Sequence, residues 1–293
     1  MRADLHLHST FSDGSDTPTE LVDKAHSYGC DVIALTDHDS AEGIEEALLR
    51  SQSYAMTLIK GVEVSIPAKE LGTFHVLVYL PFGGKSPLEE RFGELRAQRQ
   101  QRNENLVRSL RDAGIDITME MVSAKAKEGN IARPHFAAVL VDCGVVTTID
   151  EAFDRFLGDT SPFYIDKGGL SISELLDLTE RSHAVASIAH PLTLRIEPNR
   201  LYEMLCDLKD QGLFGLESYY SRYRPAVREE LASLAHKVGL VPTGGSDYHG
   251  KFKVGLNPGV GEGDLLIPDA PVYELLERLD VNFPALKDRA CKS

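Results

Sequence analysis

Residues Ala3–Asp39 read ADLHLHSTFSDGSDTPTELVDKAHSYGCDVIALTDHD, and this stretch decides the fold. Ala3 to Leu7 is a short apolar run followed by turn residues, the pattern of a buried strand. Thr17, Pro18 and Glu20 then supply an N-cap, a first-turn proline and a capping-box acid. Leu21, Val22 and Ala25 form an apolar helical face, Gly29 ends the helix, and Val32 to Leu35 is a second buried strand. Strand, helix and strand in this spacing make a unit whose two strands run parallel. Histidines sit where each strand stops: His6 and His8 on the first, His38 after the second.

The same alternation continues outward. Apolar runs at Thr57 to Val62, Phe74 to Leu80, Ala184 to Ala189, Phe214 to Leu216 and Leu240 to Pro242 read as further strands, and a helix is expected over Ala41 to Tyr54. Seven strands with intervening helices point to an α/β parallel barrel rather than an open sheet. The pattern breaks between Pro81 and Lys167. A long arginine-rich amphipathic helix begins near PLEERFGELRAQRQQRNENLVRSLRDAG, and shorter helices are expected at Met119 to Lys127, Pro134 to Val141 and Asp150 to Leu157. Residues 1–80 and 168–293 are therefore expected to form the barrel, and residues 81–167 a helical insertion capping its site. Arg91, Arg96, Arg99, Arg102, Arg108 and Arg111 read as a solvated, ion-paired helix face.

With 293 residues the chain can bury a full core. The formal charge of −14 argues against long duplex nucleic acid as the main partner, since such binding rests on Lys and Arg at phosphates. It leaves room for a small phosphorylated ligand. Cys30, Cys143, Cys206 and Cys291 form no C-x-x-C pair and signal neither a disulfide framework nor a zinc knuckle. No apolar run approaches the roughly 20 residues of a membrane span, and the N-terminus runs straight into a strand without a signal-peptide pattern. The expectation is a reduced, cytoplasmic protein without a membrane partner.

Acids and histidines gather at the strand ends, which in a barrel converge on one face. His6 and His8 alternate along one strand, so both side chains point the same way and can bind one ion. Glu63, in GVEVS, sits near the end of the third strand, where a carboxylate can bridge two ions. His75 in FHVLVY and His190 in IAHP can complete a second site. Asp13, His38 and His249 are candidates for a third, and Asp247 with His249 lies in GGSDYHG. Taken singly, His75 and His190 read more simply as core histidines, Asp13 as an Asp-Gly turn residue and Asp39 as the N-cap of the following helix. His26, His183 and His236 lack an acid partner and carry no chemistry. The joint set of imidazoles and carboxylates is the ligand chemistry of a divalent-ion cluster.

These motifs, in chain order, resemble the PHP family (polymerase and histidinol phosphatase). The matching residues are His6 and His8; Thr36, Asp37 and His38; Glu63; His190 and Pro191; Ser246, Asp247 and His249. The resemblance covers nearly the whole chain, and Arg133, Pro134 and His135 in IARPHFA are similar to a motif of the family's small-molecule phosphoesterase branch. It implies a distorted (β/α)7 barrel holding two or three divalent ions, manganese, iron or zinc. By position, His6, His8, Glu63 and Asp247 would hold the first ion, Glu63, His75 and His190 the second, and Asp13, His38 and His249 the third. Several members carry a histidine where this chain has Asp13, so the third site would be harder.

The expected activity is metal-dependent hydrolysis of a small phosphate ester, with Glu63 and Asp247 central to the chemistry. Two ions sharing Glu63 would lower the pKa of a water between them toward neutrality. Cations would hold the phosphoryl oxygens, with Arg133 and His135 the leading side chains for that role and Lys167, Arg195, Arg222 and Arg224 weaker ones. His135 is also a candidate general acid. A nucleoside 3′,5′-bisphosphate losing its 3′-phosphate, or a phosphorylated sugar cyclic phosphate, is the leading substrate. The alternatives are a 5′-3′ exoribonuclease acting on short RNA and an amidohydrolase-like C–N hydrolase. A non-catalytic module ranks last, because every ligand position is kept. No phosphate-cradling G-x-x-x-x-G-K-[ST] loop and no Ser-His-Asp arrangement is present.

Overall fold

The computed structural model describes residues 1–68, 70–83, 86–126, 131, 133–158, 161–164 and 169–281. Two compact units emerge, one formed by Met1–Glu90 with the chain from Leu170 onward, the other by Arg91–Gly169.

The first unit is a nearly closed seven-stranded barrel. Strands β1 (Ala3–Leu7), β2 (Val32–Leu35), β3 (Thr57–Ser65), β4 (His75–Leu80), β5 (Val185–Ile188), β6 (Gly215–Tyr220) and β7 (Val241–Gly245) lie side by side in chain order. Helix α1 (Pro18–Ser27) carries the expected capping box between Thr17 and Glu20. Helix α2 (Ile44–Gln52) is shorter than expected and is preceded by Gly43, not capped by Asp39.

One expectation needs correction. The patterning suggested a parallel barrel, but β4 runs antiparallel to both β3 and β5, pairing Ser65 with His75 and Tyr79 with Val185. The other neighbouring pairs are parallel. The physical reason is the connection. Nine residues separate Ser65 from His75, fewer than the dozen or so a parallel crossover requires. The reversal is what puts His75, at the beginning of its strand, beside the ends of the parallel strands.

The seam between β1 and β7 closes through the residues just after β7. Asp247 N–H donates to His6 O at 2.9 Å, and His8 N–H to Tyr248 O at 3.0 Å. The Asp4 carboxylate substitutes for ladder bonds, accepting from Ser246 N–H at 2.8 Å and Gly259 N–H at 2.7 Å. A side chain at Gly245 would collide here, since its Cβ would lie 2.3 Å from His6 Cβ.

Apolar residues fill two regions of this unit. Leu5, Ala34, Ile59, Leu77 and Tyr79 join Val272, Leu275 and Leu276 of the helix Asp269–Arg278 in one cluster. Leu7, Ile33, Leu35 and Leu58 pack with Leu21, Val22 and Ala25 of α1 and Ile44 and Ala47 of α2 in another. Strands anchored on both faces hold their ends rigidly, which a multi-ligand site requires.

The second unit is helical. Helix α3 (Pro87–Asp112) enters it and is followed by α4 (Met119–Ala126), α5 (Arg133–Asp142) and α6 (Ile149–Ala152), the last continuing as a π-helical turn over Phe153–Leu157. Leu106, Leu110, Val122, Phe136, Leu140 and Phe156 form its core. On α3, Arg91 pairs with Glu94 at 3.1 Å, as a solvated helix face would. No helix among the described residues is long and apolar enough to cross a membrane.

Candidate metal centre

Glu63 is the hub. It lies on β3 and is almost fully buried, and five imidazoles surround its carboxylate. Oε2 is 3.2 Å from His6 Nε2, 3.1 Å from His8 Nε2 and 3.3 Å from His38 Nδ1. Oε1 is 2.9 Å from both His75 Nδ1 and His190 Nε2. The two oxygens thus face two separate sets of ring nitrogens. Asp247 Oδ1 stands 3.5 Å from Nε2 of both His6 and His8, and 3.3 Å from His249 Nδ1. Asp13 is half exposed, with Oδ1 3.2 Å from His249 Nε2 and Oδ2 3.8 Å from His38 Nε2.

All nine residues singled out from the sequence for this role therefore come together. Their ligand atoms form overlapping groups: His6, His8 and Glu63; His38, Glu63 and His75; His6, His190 and Asp247; and His8, Asp13, His38 and His249. The grouping differs in detail from the three sets expected by position, because His38 also reaches Glu63 and His190 also approaches Asp247. A cavity of about 220 Å³ opens onto the cluster, lined in addition by Thr73, Thr193, Tyr220 and Lys253.

The donor set fits divalent cations. Glu217 Oε1, a buried acceptor, lies 2.8 Å from His6 Nδ1, so Nδ1 carries a hydrogen and Nε2 is the nitrogen left to face a cation. That nitrogen faces His8 Nε2 at 3.1 Å beside Glu63 Oε2. Lone pairs and carboxylate oxygens converging in a buried space call for positive charge. The electrostatics agree. Burial would push His6 down, yet Glu217, Glu63 and Asp247 outweigh it and hold the ring well above its ordinary value. His8 is pushed down to about 3, first by burial and then by His249 and His38, which keeps it neutral for ligation. Burial opposes ionisation of Glu63, but the surrounding imidazoles hold it well below the usual carboxylate range.

Three neighbours were not identified from the sequence as parts of the site. Glu217, on β6, holds His6 through Oε1 and accepts the His190 backbone N–H through Oε2 at 2.6 Å. His190 needs that anchor, since its φ of 28° and ψ of 62° are sparsely allowed for a non-glycine residue. Tyr220 and Lys253 both donate to Asp247 Oδ2. A glutamate within an apolar strand is itself a signal, because a buried carboxylate is rarely left without a partner.

Asp37 acts one step back from the cluster. It accepts from Ser9 N–H at 2.7 Å and from the hydroxyls of Ser9 and Ser12 at 2.6 Å each, fastening the loop that carries Asp13. Gly14 lets that loop turn tightly, as its Cβ would fall 2.4 Å from His8 O. Asp39, with φ 51°, ties the adjacent loop to β3 by donating its N–H to Glu63 O and accepting from Ser65 N–H.

The residues expected to bind phosphate fall on several elements. Arg133 and His135 lie on α5 of the helical unit, Arg133 with its guanidinium 4.9 Å from the centre of the Tyr164 ring, and burial lowers the His135 pKa. Arg195 is exposed on the turn after His190 and does not line the cavity. Lys167 lies outside the described residues.

A barrel with such a cluster at the ends of its strands has the make-up of a metal-dependent hydrolase, and the comparisons give the class of ester. The PHP domain pattern matches residues 4–158, and the chain belongs to that family. It is 32% identical over 275 residues to a 5′-3′ exoribonuclease of Haemophilus influenzae, covering 92% of this chain and 97% of that one. It is 29% identical to a 3′,5′-nucleoside bisphosphate phosphatase of Chromobacterium violaceum, covering 94% and 96%. Among solved structures, a Bifidobacterium adolescentis protein proposed to be a metal-dependent phosphoesterase superposes with TM-score 0.73 at 33% identity, covering 94% and 96%. The chain is thus a hydrolase of phosphate esters.

Proposed function

We propose that this chain removes the 3′-phosphate from nucleoside 3′,5′-bisphosphates, or acts on a phosphorylated sugar cyclic phosphate, using two or three ions of manganese, iron or zinc. The observation that carries the reading is Glu63, whose two oxygens serve two sets of histidines, the arrangement a carboxylate shared between ions requires. His6, His8, Glu63 and Asp247 would hold one ion, Glu63, His75 and His190 a second, and Asp13, His38 and His249 a third. Such ions supply an acidified water and positive charge for the phosphoryl oxygens.

The protein's own groups do the rest. Glu217 fixes the orientation of His6, and Asp37 fixes the loop bearing Asp13. Asp247 and Glu63 supply the negative charge that keeps the cations in place. Arg133 and His135 are assigned to the phosphate-bearing substrate on the strength of the Arg-Pro-His motif alone, with Arg195 and Lys167 secondary. A small substrate is favoured by the 220 Å³ cavity and by the net charge of −14. The free thiols Cys30, Cys143 and Cys206 suit a reducing cytoplasm.

A second reading, stepwise trimming of short RNA from its 5′ end, is favoured by the likeness to the Haemophilus influenzae exoribonuclease. Phosphate and nucleotide release from a panel separates the readings: a nucleoside 3′,5′-bisphosphate, a cyclic sugar phosphate, histidinol phosphate and a 5′-phosphorylated oligoribonucleotide, each with manganese and with chelator. Chelator-sensitive phosphate release from the bisphosphate is expected. Faster release of mononucleotides from the RNA would replace that substrate with the second, and ammonia from an amide would overturn both.

A further inference from the structure

Asp247 spends its two oxygens in different directions. Oδ1 is turned to His6, His8 and His249, while Oδ2 accepts from the Tyr220 hydroxyl at 2.8 Å and from the Lys253 ammonium. Lys253 also lines the cavity, and its side chain is 33% exposed. It is the only lysine or arginine among the described residues that line that cavity. An ammonium has three N–H donors and no acceptor. Asp247 engages one of them, so two remain for a ligand or water.

The loop bearing Lys253 is tethered on both sides. Lys251 N–H donates to Ser15 Oγ at 3.0 Å, and Arg222 donates to Val254 O at 3.3 Å while pairing with Glu262. Gly250, with φ +65°, allows the close approach to Ser15. A lysine that served only to neutralise Asp247 would need neither an opening to the cavity nor a fixed loop, and Tyr220 already supplies a neutral donor to the same oxygen. A long flexible side chain loses rotamer freedom when it captures an anion, and here much of that cost is met before the ligand arrives.

We propose that Lys253 is a substrate-contact residue whose ammonium, held by Asp247 Oδ2, takes a phosphoryl oxygen of the ester bound in the cavity. This rests on the phosphoesterase reading of the site. Lysine suits the task as a compact point charge for phosphate.

The test uses the 293-residue chain loaded with manganese, and inorganic phosphate as the probe. Calorimetric titration of phosphate, KM for any turned-over ester, bound metal per chain and thermal unfolding are compared for wild type, Lys253→Gln and Lys253→Arg. Loss of one charge-assisted contact is expected to weaken phosphate binding and raise KM by roughly 10-fold to 100-fold in Lys253→Gln. Lys253→Arg is expected to recover most of this, and metal content and unfolding temperature to stay at the wild-type level. Equal phosphate affinity in wild type and Lys253→Gln overturns the proposal. So does a wild type that binds no phosphate, or a loss accounted for by missing ions alone. Lysine-dependent phosphate binding without turnover of any ester would retain the proposal while removing the substrate assignment.

Discussion

The two units of this protein are stabilised by different means. The helical unit has an apolar core of residues such as Leu110, Phe136 and Leu140. The barrel also has apolar clusters, but beside them it buries Asp4, His6, His8, Asp37, Glu63, His190, Glu217, Asp247 and His249. Each such group costs free energy unless a partner meets it. Here the partners are one another, backbone N–H groups and, in the reading above, divalent ions. Core side chains in the helical unit therefore matter chiefly through volume, and those in the barrel's polar centre through charge and direction.

Substitutions can break or sharpen that contrast. The largest effect is expected for Glu63→Gln, which keeps the shape and removes the shared charge: turnover should fall on the order of 10³-fold or more, with bound metal lost and the fold kept by circular dichroism. Retention of both metal and activity would remove Glu63 from the centre of the argument. In the helical unit, Leu140→Ala opens a cavity and is expected to cost about 2–5 kcal/mol in urea unfolding of that unit, with metal content unchanged. Coupled loss of metal would show that the two units do not answer independently.

Glu217→Gln tests direction more than charge. The amide can still meet one partner but not accept from both His6 and the His190 backbone as a carboxylate does. Metal affinity is expected to fall about 10–100-fold, measured by competition with a chromophoric chelator. An affinity equal to wild type would make Glu217 merely a filler. The smallest effect is expected for Thr17→Ala, which removes the α1 cap and should cost about 1 kcal/mol, read from the urea midpoint with activity intact.

Much of the barrel was legible because its chemistry and its patterning coincide. Polar candidate ligands interrupt or follow apolar runs at His6, His38, Glu63, His190 and Asp247, and the Thr17 capping box marks α1. The reversal of β4 was harder to see, because an apolar strand carries no mark of its direction; the short link from Ser65 to His75 was the available signal. Asp39 misled for a related reason. A side chain that caps helices also serves loops, and it joins β3 instead. Glu217 and Lys253 belong to no spaced motif, and only tertiary structure brings them to His6 and Asp247, residues distant in the chain or reached by a folded-back loop.

The antiparallel partnership of β4 and β5 also bears on how the chain folds. β1, β2 and β3 follow one another closely, whereas β4 and β5 pair across about a hundred residues of intervening chain. Loop-closure entropy grows with that length and slows non-local pairing. His75 and His190 stand on opposite sides of this gap, so the Oε1 side of Glu63 is expected to assemble after the Oε2 side. Each residue that the helical unit folds on its own shortens the free chain which that closure must order, making the insertion a participant in the rate at which the site is built.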